Sequence, residues 1–381
     1  MRSSAGMGAV WAAGLAAAGL VGCAAGPDAA AQAAAAARAE AALAPLRGAA
    51  RVRFVAVGDT GRADAESAAT GARVRAACAA RQDSGAPGGG PGCDFVLLLG
   101  DLLYGAGATG PGDPRVAAAL APVSGLGVPV LAVPGNHDHG PSGLDAAAWA
   151  RLVAAAAALP GAPILLPGAL RLQAGPLELL LADSAALLGE PLRGDSGQRA
   201  VAAGWAAAPR PRWSVAALHH PDRSDGPHGD AGRADGGLWP VANGLSVRTF
   251  IDRHLAPRVD LLLAGHDHSV QWFAPDAGAP FTTLVSGAGG RRTAVAGGRA
   301  AWATTEPALV WVEATEDALV AVVLGDGGAP LRWGHVGGAP GATPARDALP
   351  PDSAPAADAG PEHIRRAQEA ARQQGHRGPG G

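Results

Sequence analysis

Lysine is absent from the 381 residues, so all 30 basic side chains are arginines, and the formal net charge is -3. The arginines are scattered and form no basic stripe, which argues against DNA or RNA as an obligate partner. Aromatic residues are scarce at 4%, with nine tryptophans, five phenylalanines and a single tyrosine. The tryptophans read as core and rim packing. Cysteine is limited to Cys23, Cys78 and Cys93, and the last two lack the His and Cys neighbours of a zinc site. No internal repeat is found. The uncharged run from Met7 to Val21, behind Arg2, suffices for a signal-peptide core and is marginal for a membrane span.

What is present is apolar residue, 48% of the chain, enough to bury one large core or two modest ones. With 57 glycines and 32 prolines, not all of the chain is expected to be compact. The uncharged run ends in Leu20-Val21-Gly22-Cys23, which resembles the bacterial lipoprotein cleavage box. That resemblance implies that Cys23 carries a lipid and that the protein is exported and anchored to the bacterial cell envelope, facing the periplasm or the surface. An ordinary cleaved signal or a retained anchor is the alternative, and each of these exports the chain. Cys78 and Cys93 would then sit in an oxidising compartment and are expected to form a disulfide, two unpaired buried thiols being the alternative.

The expected organisation is a signal peptide over 1–23, an Ala-rich, partly helical spacer over 24–50, one catalytic domain over 51–336, and a low-complexity, disordered tail over 337–381. Within the central part, apolar runs at Val52 to Val57, Phe95 to Leu99, Val128 to Val133, Leu177 to Ala182, Trp213 to Leu218 and Leu261 to Ala264 have the character of buried strands. Helical stretches alternate with them at Ala63 to Arg81, Pro114 to Leu120, Leu144 to Ala158, Gln198 to Ala208 and Leu245 to Leu255. The pattern predicts an α/β fold with strands buried on both faces. After Gly265 four strands follow without helices, implying a later, more antiparallel sheet.

The polar residues that matter fall directly after the apolar runs, where ligands bind in open α/β sheets. They are Gly58-Asp59-Thr60-Gly61, Gly100-Asp101-Leu102-Leu103-Tyr104, Gly135-Asn136-His137-Asp138-His139, His219-His220-Pro221 and Gly265-His266-Asp267-His268. Singly each is a common turn or surface pattern. Together they supply carboxylate, phenol, amide and imidazole from five strand ends, which suits two metal ions of unequal hardness. Asp59, Asp101, Tyr104 and one imidazole are rich in anionic oxygen and favour Fe3+; Asn136, two imidazoles and a share of Asp101 suit divalent Zn, Fe or Mn.

These blocks resemble the calcineurin-like metallophosphoesterase superfamily over about Arg51 to Arg291, and Tyr104 places the resemblance in its purple acid phosphatase-like branch, of the tartrate-resistant type. In most of the superfamily the first block is Asp-x-His; here Gly61 stands in place of that histidine, and Tyr104 follows Asp101 by three residues. The resemblance implies a four-layer α/β/β/α sandwich with two stacked mixed sheets. It assigns Fe3+ to Asp59, Asp101, Tyr104 and His268, and the divalent ion to Asp101, Asn136, His219 and His266. It makes His137 the group that contacts phosphate and protonates the leaving oxygen, with His228 as a second substrate-facing histidine or a simple loop residue. His220 reads as packing or support, Asp267 as pointing away, Ser286 to Gly290 as a family loop of weak meaning. Arg223 or Arg233 reads as a phosphate clamp or, more simply, a solvated loop arginine.

The implied function is hydrolysis of a small phosphomonoester by a water activated between two metals, with no nucleic-acid partner and no obligate protein partner evident. A phosphodiesterase or nucleotidase on the same site is the alternative. Outside that class stand a non-catalytic, surface-anchored binding module, and iron-mediated redox chemistry on the same residues.

Overall fold

The computed structural model describes residues 29–79, 92–166, 168–233 and 244–338. The expected signal peptide with Cys23, the first residues of the Ala-rich stretch, residues 80–91 between the two cysteines and the tail beyond residue 338 lie outside the described residues.

In chain order the elements are α1 (Ala29–Leu43), β1 (Arg51–Val57), α2 (Ala65–Cys78), β2 (Phe95–Leu99), α3 (Pro114–Leu120), β3 (Val130–Val133), α4 (Ala146–Ala157) and β4 (Ile164–Leu165). Next come β5 (Leu170–Ala174), β6 (Leu177–Leu181), α5 (Ser184–Arg193), α6 (Gln198–Ala207), β7 (Trp213–Ala217) and α7 (Leu245–Phe250), which runs on into a π-helical turn over Ile251–Leu255. The chain closes with β8 (Leu261–Ala264), β9 (Val270–Phe273), β10 (Thr282–Ser286), β11 (Trp302–Thr304), β12 (Leu309–Thr315), β13 (Ala318–Leu324) and β14 (Pro330–Gly338).

Two seven-stranded sheets result, ordered β14-β13-β12-β1-β2-β3-β4 and β11-β9-β10-β8-β7-β6-β5. Strands β1 to β4 are parallel, as are β6, β7, β8 and β10, while the outer strands run antiparallel. Side chains alternate between faces, so an apolar strand feeds two cores at once. Val52, Phe54 and Ala56 of β1 and Phe95, Leu97 and Leu99 of β2 enter the core between the sheets, together with Leu179, Val215 and Leu263. Val55, Val57, Val96 and Leu98 face the other way, onto α2, α3 and α4 through Val74, Val116 and Trp149. On the second sheet Leu180, Ala216 and Leu262 meet Leu187, Trp205 and Phe250 of α5, α6 and α7. Three cores between four layers make the expected α/β/β/α sandwich.

The strands after Gly265 do not form a sheet of their own. β9, β10 and β11 complete the second sheet, and β12 to β14 return to the first, where β12 pairs antiparallel with β1. The Ala-rich segment also differs from a free spacer. In α1 the side chains of Ala35, Ala39 and Leu43 are buried, and Ala39 and Leu43 join the core between the sheets beside Leu172 and Ala174. The helix thereby packs on β4 and β5, the edge strands at one side of the two sheets. Small side chains allow this close approach, so no face of large apolar residues was needed. Helix α5 was missed because Gly189 and Pro191 interrupt its pattern. Cys78 at the end of α2 and Cys93 ahead of β2 are disulfide-bonded, with Cα atoms 4.5 Å apart.

Candidate metal centre

The parallel strands of both sheets end on the same side, and the polar blocks converge there. Three of their non-glycine residues turn with positive φ, Asp59 at 63°, Asp101 at 57° and His266 at 73°. Non-glycine residues rarely adopt this region, and such strain persists only where surrounding contacts over-determine it. Here the contacts are specific: the Asp59 amide donates to Gly100 O at 2.9 Å, and the His266 amide donates to Asp59 Oδ2 at 2.9 Å, joining positions 207 residues apart.

Two groups of donors result. In the first, ligand atoms of Asp59, Asp101 and His268 lie within 4.8 Å of one another. Tyr104 Oη stands 3.2 Å from Asp59 Oδ1 and 3.4 Å from His268 Nε2, and His268 Nε2 is 3.3 Å from Asp59 Oδ1. In the second, His219 Nε2 is 2.9 Å from Asn136 Oδ1, 3.2 Å from His266 Nδ1 and 3.5 Å from Asp101 Oδ1. Asp101 therefore borders both groups.

The donor chemistry fits cations. His219 Nδ1 lies 2.7 Å from Leu99 O; a neutral imidazole has one N–H, and that carbonyl takes it, so Nε2 turns a lone pair toward an amide oxygen and a carboxylate. Acceptors facing one another need a proton or a metal ion between them. Burial, and then Asp59 and Asp101, push the Tyr104 phenol well above its ordinary value near 10, so its anion requires a cation alongside. Asp59 is held below its ordinary range: burial opposes this, but the His268 bond and the nearby imidazoles prevail.

Two glycines show why these blocks read as they do. A Cβ on Gly61 would fall 2.1 Å from the Leu102 carbonyl carbon, so backbone fills the space that a side chain at this position needs. Tyr104, on the segment that occupies that space, brings its phenol to the centre instead. A Cβ on Gly135 would lie 2.2 Å from Asp101 Oδ1 and 2.4 Å from Asp101 N.

Around the donors, Asp138 accepts from the amides of Leu102, Leu103 and Gly135 at 2.8–2.9 Å, fastening the turn after β2 to the turn after β3. Burial, and then Asp101, push it up to about 8 against the Gly135 and Leu103 amides and His139. His139 Nε2 reaches the second sheet, 2.9 Å from Asp183 Oδ2. His137 is 43% exposed at the mouth, its ring 4.5 Å from that of Tyr104 and its Nε2 4.0 Å from Asp101 Oδ2. The half-buried His228 ring lies 4.6 Å from His266 and 5.9 Å from His268, so the loop after β7 does reach the centre.

Other residues behave differently from their sequence reading. His220 is grouped with His219 and His266, with a nitrogen of each within 4.8 Å of the others, while its Nδ1 lies 2.8 Å from Ser184 Oγ. Arg223 is no phosphate clamp: it is buried, bonded to Asp222 and Asp276, and covers the Phe273 ring. The Ser286 to Gly290 loop packs behind the centre, where Ser286 O accepts from Gly58 N and glycine 289 lies against Gly58 O. Asp267 turns away from the donors, as expected, but onto the His228 loop. Asp183 and Ser184 went unnoticed although they too follow an apolar run directly; no glycine or histidine marked them.

A sandwich of two mixed sheets whose strand ends gather two groups of metal-binding side chains is the architecture of a dinuclear metallophosphoesterase. The calcineurin-like phosphoesterase family matches residues 52–270, more than half of the chain. The chain belongs to that family. Among solved structures it is similar to GAP50, the anchor in the inner membrane complex of Plasmodium, with a TM-score of 0.56 and 14% identity over 75% of this chain and 88% of that one. It is also similar to the purple acid phosphatase PPD1 from seeds of yellow lupin, Lupinus luteus, with a TM-score of 0.50 and 16% identity over 73% of this chain and 52% of that one. Both likenesses are of fold. No curated protein sequence matches.

Proposed function

We propose that this protein is a phosphomonoesterase of the purple acid phosphatase type. The position of Tyr104 carries this reading: the chain's only tyrosine stands within 3.4 Å of both Asp59 and His268, on the carboxylate-rich side of Asp101. Asp59, Asp101, Tyr104 and His268 would hold Fe3+, and Asp101, Asn136, His219 and His266 a divalent Zn, Fe or Mn. Such a pair, when bound, lowers the pKa of water and offsets the charge of phosphoryl oxygens.

The chain's own groups do the rest. His137, half exposed beside Tyr104, would hold a proton and pass it to the leaving oxygen. His228, next to His266 and His268, would orient the phosphate. Preference for mono- or diesters would lie in the loops around the centre. Export with a lipid on Cys23 remains part of the same proposal, resting on the Leu20 to Cys23 box. A non-catalytic role, to which the likeness to GAP50 points, would not require metal donors, whereas this chain gathers Asp59, Asp101 and His268 in one group and His219, His220 and His266 in another.

The test combines metal analysis, visible spectroscopy and hydrolysis of p-nitrophenyl phosphate against its bis-aryl diester. A broad absorption lost in Tyr104→Phe, with faster monoester turnover, supports the proposal. Iron bound without colour, or a chain that stays metal-free in iron and zinc, sinks it; faster diester turnover favours the diesterase.

A further inference from the structure

We infer that Asp267 is a positioning residue that hangs the His228 loop from the metal-ligand turn, an inference that rests on the phosphatase reading above. The residue stands between His266 and His268 in a turn tied by two tight backbone bonds, Asp267 N to Gly265 O at 2.9 Å and Ser269 N to Asp267 O at 2.7 Å. This turn sends its neighbours' imidazoles to the donors and its own carboxylate, fully buried, to the opposite side.

That carboxylate takes two bonds from one loop. Oδ1 accepts from the His228 amide at 3.1 Å, and Oδ2 accepts from Ser224 Oγ. The direction of the second bond is set by the neighbours: Ser224 Oγ already accepts from Gly226 N and from Gln271 Nε2, each at 3.0 Å, which leaves its proton for Asp267. Gly226 passes so close that a Cβ there would lie 2.3 Å from Asp267 Oδ1. The remainder of the loop is held elsewhere, since Arg299 pairs with Asp225 and Asp230, and Asp225 N donates to Gln271 Oε1. Among these bonds, only those to Asp267 connect the loop directly to the turn bearing two ligand histidines.

A buried carboxylate with both oxygens engaged fixes backbone more narrowly than packing would. Asp267 thus sets the distance between the His228 imidazole and the donors, so that a phosphate held by the centre finds the histidine already in place.

The test uses the full chain with Asp267→Ala, Asp267→Asn, His228→Ala and the Asp267→Ala/His228→Ala double variant. Bound metal, kcat and KM on p-nitrophenyl phosphate, and affinity for inorganic phosphate are measured in each. Asp267→Ala is expected to keep its metals and lose about tenfold or more in kcat. The double variant should match His228→Ala within about twofold, because nothing remains to be positioned. Asp267→Asn, whose Oδ1 still accepts from the His228 amide, should recover part of the loss, and it carries the same cycle if Asp267→Ala does not fold. Loss of metal in both Asp267 single variants, unchanged kinetics, or losses that multiply in the double variant would overturn the inference. A metal-loaded parent chain inactive on the ester sinks the phosphatase reading separately, and the cycle is then decided on phosphate affinity; a parent that binds no phosphate overturns both.

Discussion

His219 Nδ1 lies 2.7 Å from the carbonyl oxygen of Leu99, a bond that crosses from the second sheet to the first and spans 120 residues of chain. It fixes the tautomer of an imidazole in the candidate metal centre and couples that centre to the packing of the two sheets.

Asp101 borders both donor groups, whereas His137 borders the mouth. Asp101→Ala is expected to abolish binding of both ions, while His137→Ala should keep them and lower turnover by roughly 10²- to 10⁴-fold. Metal analysis beside steady-state kinetics separates the two, and full turnover in His137→Ala would remove its role as the acid.

Gly135→Ala changes no ligand, yet its Cβ would press on Asp101 Oδ1 and N at 2.2 and 2.4 Å. Because the obstruction includes backbone, it cannot be relieved by rotating a side chain. We expect metal affinity to fall, with the far-ultraviolet circular dichroism of the fold retained; metal titration checks this.

The disulfide joins residues 15 apart, and a loop of that length contributes about 3 kcal/mol through the unfolded chain. Cys78→Ala/Cys93→Ala should lose stability of that order in urea titration and keep its metals. A variant as stable as the parent would show that the native bond stores compensating strain.

Helix α1 places Leu43 in the core between the sheets. Leu43→Ala is expected to cost about 2 to 4 kcal/mol, and a chain starting at Ala50 should melt lower than one that retains α1. Thermal denaturation of the two lengths decides whether the Ala-rich segment belongs to the domain.

Burial would lower the pKa of His139, but Asp183 outweighs it and raises the group above 6.5. The fold therefore favours the protonated form: this stabilisation is complete below the unfolded value and is lost as pH rises through the higher folded value. Asp183→Asn should lower Tm most at about pH 5.5, and the deficit should narrow toward about pH 8.5. A deficit that widens with pH would reverse the assignment of charge.

Much of the fold was legible because strand character is local. The runs Phe95 to Leu99 and Leu261 to Ala264 have their observed bounds in the sequence reading, being continuous apolar stretches between turn residues. The short β4, β11 and the glycine-bearing β14 carry too little periodicity to stand out, and their pairing comes from neighbours distant in sequence. In the site, the polar blocks were visible as residues directly after strands. Their supports were not: Leu99 contributes a carbonyl, Asp183 and Ser184 look like a helix cap, and Ser224 and Gln271 look like ordinary polar residues.

By itself the sequence determined the inventory and its order: which side chains can bind metal, that each follows a buried strand, and that Gly61 and Tyr104 depart together from the commoner Asp-x-His pattern. Tertiary structure alone decided which sheet the last strands join, that Ala39 and Leu43 are core, and that Asp267 holds the His228 loop while Arg223 is buried elsewhere. The division has a physical cause. Strand periodicity and turn chemistry act between neighbours along the chain, whereas the direction of a buried carboxylate is set by donors from segments tens to hundreds of residues away, present only after the two sheets have packed.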